Sequence, residues 1–261
     1  MKKIILLFSA VWIFAACNNE ANTKDKEYAK NTDIIGANLK GKVQSYTETT
    51  YIVDSTGKQK MDSLLNINEL DEKGYQTKFS TKDSVGKIHT VQTFTRNDIG
   101  AFTEMVTMKD GKQMYKLVTE IDKDGKYSGG KSYDSTGKQD GYYKDLKTNE
   151  YGVVYGGKLY GMNNKIKSTF DMKYDKAYFV GGSSTDSAGR TTYSGTLKLN
   201  DKNDPVEETS TTLVKDSSIT EKMTYKYDSF DNKGNWIQRT TYNEKGKPSK
   251  IIKRTFSYYK D

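Results

Sequence analysis

The chain has 261 residues, with 42 Lys and Arg against 34 Asp and Glu, a single His, a single Cys and a formal charge of +8. Only 34% of the residues are hydrophobic and 29% are charged, and the mean hydropathy is −0.85, so any core must be thin. Twenty Tyr take over part of the burial that Leu and Ile usually provide, while one Cys and one His exclude a disulfide scaffold and the usual zinc ligand sets.

Residues 1–16 read as a signal peptide: Lys2 and Lys3 form the basic region, and Ile4 to Ala16 is an apolar run too short to span a bilayer. The run ends in Phe14-Ala15-Ala16-Cys17, which resembles the lipobox of bacterial lipoproteins. That resemblance implies cleavage before Cys17 and lipidation of its thiol, with several acyl chains holding the protein permanently at the membrane. Asn18 is not the Asp associated with inner-membrane retention, so outer-membrane residence is expected, facing either the periplasm or the outside. Loss of Lys2 and Lys3 with the leader lowers the formal charge from +8 to +6. The remaining Lys are interspersed with acids; only Lys245, Lys247, Lys250, Lys253 and Arg254 gather. They are expected to form a solvated face that discourages edge pairing, and no nucleic-acid partner is expected.

Residues 18–38 are polar and aperiodic, as a tether from residue 17 to a folded domain over 39–261 would be. From Leu39 onward a turn signal recurs. Asp-x-x-Gly begins at Asp54, Asp71, Asp83, Asp122, Asp134, Asp186 and Asp231, and Asn-x-x-Gly at Asn97 and Asn243. The acid or amide side chain can accept a backbone N–H two residues on, and the glycine supplies the positive φ that closes a short hairpin. About eight to ten residues separate the turns, and they are rich in β-branched and aromatic side chains without a helical stripe. The expected fold is all-β, an antiparallel meander of about 14–15 short strands forming a curled or elongated sheet, with a closed barrel as the alternative. Strands are expected near 42–53, 60–70, 75–82, 87–96, 101–109, 113–121 and 126–133, and from 165 to the C-terminus; the stretch from about 138 is less regular.

Tyr133-Asp134-Ser135-Thr136-Gly137 resembles the Tyr-Asp-x-x-Gly core of YD (Rhs-type) repeats, and Tyr242-Asn243-Glu244-Lys245-Gly246 is a near match. Gly234-Asn235-Trp236, following Asp231, is similar to the final unit of Bacteroidetes-type envelope lipoproteins. The resemblance implies stacked hairpins serving as a shell or contact surface. Encapsulation does not carry over, because Rhs shells are far longer and most turns here lack the preceding Tyr.

Where the repeat loosens, Tyr142, Tyr143, Tyr151, Tyr155 and Tyr160 alternate with glycines. Exposed Tyr rings stack on sugars, and Gly admits a close approach, which makes these five the candidate binding surface for a glycan or protein partner. Catalytic signals are missing. His89 lies in a predicted strand, no Gly-x-Ser-x-Gly elbow is present, and no calcium or phosphate-binding loop can be read, so neither metal nor cofactor is expected. Thr, Ser, Lys and Glu on both parities of the strands argue against a membrane-spanning barrel. The leading expectation is a non-enzymatic, lipid-anchored envelope protein that presents a sheet to protein or glycan. The alternatives are a carboxylate-dependent glycan hydrolase and a carrier of an apolar ligand.

Overall fold

The computed structural model describes residues 32–98, 100–214 and 217–260; the leader and Cys17 lie outside them. A five-residue helix α1 (Thr32–Gly36) precedes β1 (Val43–Val53), β2 (Gln59–Leu70), β3 (Gln76–Lys82), β4 (Ile88–Arg96), β5 (Phe102–Lys109), β6 (Lys112–Ile121), β7 (Tyr127–Tyr133) and β8 (Gln139–Thr148). There follow β9 (Val154–Gly161), β10 (Ile166–Asp175), β11 (Tyr178–Asp186), β12 (Thr191–Leu199), β13 (Pro205–Val214), β14 (Ser217–Phe230), β15 (Trp236–Tyr242) and β16 (Pro248–Tyr258). Every strand pairs antiparallel with its sequence neighbours, and β16 returns to β1, so the meander closes into a barrel of 16 strands. This is the closed form of the expected fold. β8 and β9 add strands where the sequence showed no regular turn spacing.

The turns follow from their first residue. In twelve hairpins the residue at position four donates its N–H to the carbonyl of position one, and position one donates to the carbonyl of position five. At Asp54 the carboxylate Oδ1 also accepts the amides of Thr56 (2.8 Å) and Lys58 (3.0 Å), while Gly57 takes φ +85°. Asp71, Asp83, Asp122, Asp134, Asp186 and Asp231 repeat that arrangement, as do Asn97, Asn149, Asn200 and Asn243 at least in part. One side chain thus satisfies two amides that the tight loop turns away from the ladder.

Register assigns each residue to a face. Tyr46 opposes Asn68 and Phe256, and Glu48 opposes Asn66 and Arg254. The same face continues through Phe79, Gln92, Met105, Thr107, Leu117, Gly130, Tyr143, Phe170, Tyr193, Glu208, Tyr225, Arg239 and Ile252. It holds most of the buried strand residues and forms the lumen. The opposite face carries Thr, Ser and charged side chains joined in cross-strand ion pairs, among them Lys78 with Glu69, Lys116 with Glu104, Lys131 with Glu120 and Lys198 with Glu207. A membrane-spanning barrel has the reverse distribution, apolar outside and polar within. This outer wall meets water.

The two ends of the barrel differ. The chain joins the fold before position 39, the expected boundary: residues 32–42 run across the end where β1 starts and β16 finishes. The Asp33 carboxylate accepts hydrogen bonds from Arg96 of β4 (2.5 Å) and from the Gln76 amide of β3 (2.8 Å). Asn38 donates to Asp204 (2.5 Å) and to the Lys202 carbonyl (2.9 Å) in the β12–β13 turn. Asn235, buried in the β14–β15 turn, clamps Lys40 from both sides, accepting from its amide and donating to its carbonyl. Ile34 and Ala37 pack with Leu39, Val43, Tyr46, Leu70, Phe256 and Tyr258 beneath this plug. A second buried cluster, Phe102, Met105, Leu117, Tyr127 and Val154, fills the adjoining sector. Among the described residues no segment crosses the other end, which bears only hairpin turns.

Candidate functional site

Sixteen strands set about 4.8 Å apart and tilted by about 40° enclose a ring on the order of 30 Å between opposing backbones. Side chains at the plugged end fill part of that width. Above them the inner wall carries a belt of cations on aromatic rings. Arg254 lies 3.6 Å from the Trp236 ring centre and 5.0 Å from that of Tyr46, and pairs with Glu48 at 2.8 Å. Arg239 lies 4.6 Å from the Tyr225 ring centre and 5.0 Å from that of Trp236. Tyr227 packs against Trp236, and its hydroxyl donates to the Pro205 carbonyl. The Tyr225 hydroxyl donates to Glu208. Burial raises the Tyr225 and Tyr227 hydroxyls above their ordinary range, so both stay protonated at neutral pH; the nearby Arg239 charge acts in the opposite direction on each.

Toward the open end, apolar side chains join the Thr and Lys residues of the inner wall. Of the nine exposed large apolar side chains among the described residues, eight lie at or near this rim, including Ile52, Leu64, Ile88, Met162, Ile166 and Ile219; Phe230 lies at the plugged end. Ile52 continues the lumen-facing parity of Tyr46, Glu48 and Thr50 and is flanked across the strands by Lys250 and Lys60. Ile219 opposes the lumen-facing Thr212. Their exposure is therefore exposure to the mouth.

The five candidate tyrosines do not form one surface. Tyr142 and Tyr160 are direct cross-strand partners on the outer wall, their rings stacked at 5.3 Å and 7°, with Lys144 5.0 Å from the Tyr142 ring centre. Tyr143 faces the lumen, where its hydroxyl lies 3.4 Å from that of Tyr115; burial raises both hydroxyls. Gly130 opposes Tyr143 on one side and Thr119 on the other, and a Cβ there would sit 2.9 Å from the Val118 carbonyl oxygen. Tyr151 sits in the β8–β9 turn against Val153 and Ala177, and Tyr155 is half-buried in β9. Strand alternation divides Tyr142 from Tyr143, which no composition-based reading resolves. His89, expected as a plain strand residue, bridges two rim turns through Asp83 (3.0 Å) and Asp110 (3.4 Å).

Sequence reasoning missed the lumenal arginines, although a signal was present. The chain has only four Arg among its 42 basic residues, and Arg96, Arg239 and Arg254 are three of them. Each places its guanidinium over an aromatic ring of the inner wall or plugged end, Arg96 over Tyr75. Lys serves the solvated wall, and the weakly hydrated planar cation serves the interior.

The fold and this site together define a closed meander barrel that is polar outside, plugged at one end and lined by aromatics and guanidinium groups. The sequence matches no protein-family model and no curated protein. Among solved structures the chain is similar to a porin-like protein from Bacteroides uniformis, with 11% identity and a TM-score of 0.53 over 82% of this chain and 96% of that one. At that identity the likeness concerns the fold. A TcdB2-TccC3 crystal structure aligns with 78% of this chain and 11% of its own length, at 9% identity and a TM-score of 0.33.

Proposed function

We propose that the protein is a non-catalytic, ligand-holding barrel of the bacterial cell envelope, anchored through a lipid on Cys17 and carrying an apolar or amphipathic small molecule in its lumen. The observation that supports this most directly is the contrast between the two ends: one closed by residues 32–42, the other rimmed by exposed apolar side chains of which Ile52 and Ile219 lie at lumen-facing positions. Exposing such groups to water costs about 25 cal/mol per Å² and is offset when a ligand covers them. The inner carboxylates favour binding over hydrolysis, since Glu48 is neutralised by Arg254 and Glu208 is held by Tyr225. Titration of the purified full chain with N-phenyl-1-naphthylamine tests the reading. Saturable fluorescence enhancement is expected, weakened at least about tenfold in Ile52→Asp/Ile219→Asp; no saturable signal would refute it. For the anchor, Cys17→Ala should move the protein out of the membrane fraction, and an unchanged distribution would refute lipidation.

The stacked pair Tyr142 and Tyr160 favours a second reading, in which the outer wall docks a glycan or protein. Affinity lost in Tyr160→Ala, with dye binding in the lumen intact, would support it.

A further inference from the structure

Resting on the lumen reading above, we infer that the ligand is an amphiphile with a carboxylate head, and that Arg239 is the residue that receives this head. The inference begins with an imbalance between the two guanidinium groups of the belt. Arg254 has Glu48 at 2.8 Å. Among the described residues no carboxylate reaches Arg239 within 4.0 Å, and its Nε is buried without a hydrogen-bond acceptor. Rings occupy its neighbourhood instead: Tyr225, Trp236 and the cross-strand Tyr227, whose hydroxyl is its one polar neighbour among the described residues. Glu208, on the same wall, is engaged by the hydroxyl of Tyr225, the ring over which Arg239 lies. Half-buried, Arg239 is an interior cation that still meets solvent, and that solvent is in the lumen.

The surroundings set the chemistry of the missing partner. Flanking rings leave the guanidinium edge as the direction of approach, and that planar fork matches a carboxylate. On β16 the residue opposite Arg239 is Ile252, which opposes Thr50 of β1, and Ile52 follows one step higher at the mouth. Between the cation and the rim, Ile252 and Ile52 offer apolar contact beside Thr50, which suits the hydrocarbon part of an amphiphile. Lys250 and Lys60 flank Ile52 and put positive charge at the entrance, where it favours arrival of an anion. One cation at depth without a carboxylate calls for one anionic head.

Laurate and dodecanol, which share a tail and differ in the head, test this by displacement of N-phenyl-1-naphthylamine from the full-length protein. Wild type should bind laurate about 10- to 100-fold tighter than dodecanol, the range of one charged hydrogen-bonded contact. Arg239→Gln should bring laurate down to the dodecanol level and leave dodecanol unchanged. Equal binding of the two by wild type, or an acid preference that survives in Arg239→Gln, overturns the assignment while the lumen reading stands. Failure of both compounds to displace the dye overturns the assignment and the lumen reading with it. Circular dichroism and thermal melting establish whether Arg239→Gln folds. If it does not, Arg239→Lys decides: a several-fold loss for laurate alone supports the fork, and unchanged laurate affinity overturns it.

Discussion

The ion pair between Asp33 and Arg96 holds the plug in place, and its removal should have an asymmetric cost. Arg96 and Asp33 have side chains only 11% and 15% exposed, and the carboxylate also accepts the Gln76 amide. Burial raises the Asp33 carboxyl above its ordinary 3.8, against the opposing pull of Arg96 and that amide. Burial thus opposes the ionised carboxylate, and the clearest role of the pair is to fix where the segment docks. Removing one partner strands the other in a low-dielectric setting, which costs about 3–5 kcal/mol, whereas apolar replacement of both is close to neutral. Urea denaturation of Asp33→Leu, Arg96→Met and the double variant should show losses of about 3–5 kcal/mol for each single substitution and only about 1–3 kcal/mol for the double, the cost of the Gln76 amide left without its acceptor. If the plug undocks without unfolding the barrel, the midpoints shift less, and hydrogen exchange at the Gln76 amide accelerates in each single variant. Additive losses, or small losses with unchanged Gln76 exchange, would refute the argument.

Three other measurements probe different parts of the barrel. Gly100 takes φ +82°, and a Cβ added there would lie 2.3 Å from the Tyr75 hydroxyl, whereas Gly86 takes φ +88° with nothing within 4 Å of the same position. Gly86→Ala should therefore cost about 1–2 kcal/mol for strain alone and Gly100→Ala about 2–5 kcal/mol by urea denaturation, and equal costs would contradict the packing at the plugged end. The turn carboxylates of Asp54 and Asp134 are held below 3.8 by their Thr hydroxyls and then by backbone amides, so their contribution is present above 3.8 and lost as pH falls through the depressed values. Carboxyl-carbon NMR should show both midpoints under 3.8, with Thr56→Val moving Asp54 back up; an unmoved midpoint would contradict the assignment. Burial pushes the Tyr174 and Tyr258 hydroxyls up to about 12, so stability falls as pH rises from 10 through those values, and near-ultraviolet titration should find tyrosine still protonated at about pH 11.

The hairpin meander was legible because each turn is written locally. An Asp or Asn and a Gly three residues later encode the geometry without reference to distant contacts. The missed strands β8 and β9 are flanked by looser versions of the same device: Asn149 with Gly152, and a turn from Gly161 in which Asn164, at φ +61°, replaces the glycine. Closure was open in the sequence because it depends on the pairing of β1 with β16, and nothing local encodes a partner about two hundred residues away. The plug was illegible for a related reason. Asp33, Asn38 and Lys40 each act through a pair of hydrogen bonds to a different part of the barrel end and leave no periodicity. Gly234-Asn235-Trp236 was visible as a motif but not as a junction: Asn235 clamps the plug while Trp236 carries both lumenal guanidinium groups.

The seam between β1 and β16 also governs how the barrel comes into being. Val43 opposes Tyr258, and the Tyr259 amide donates to the Lys42 carbonyl at 2.9 Å, so the start and finish of the sheet are neighbours at one end. During synthesis β1 can recruit β2 at once, yet its other edge has no partner until the final strand leaves the ribosome. Throughout elongation the growing sheet keeps two open edges, a template for pairing with other chains. Cross-strand charges along the outer wall protect that vulnerable intermediate as well as the finished barrel. Because the ends meet, a circular permutant joined across the seam and opened at the exposed Gly86 turn retains every ladder while changing which strand is made last.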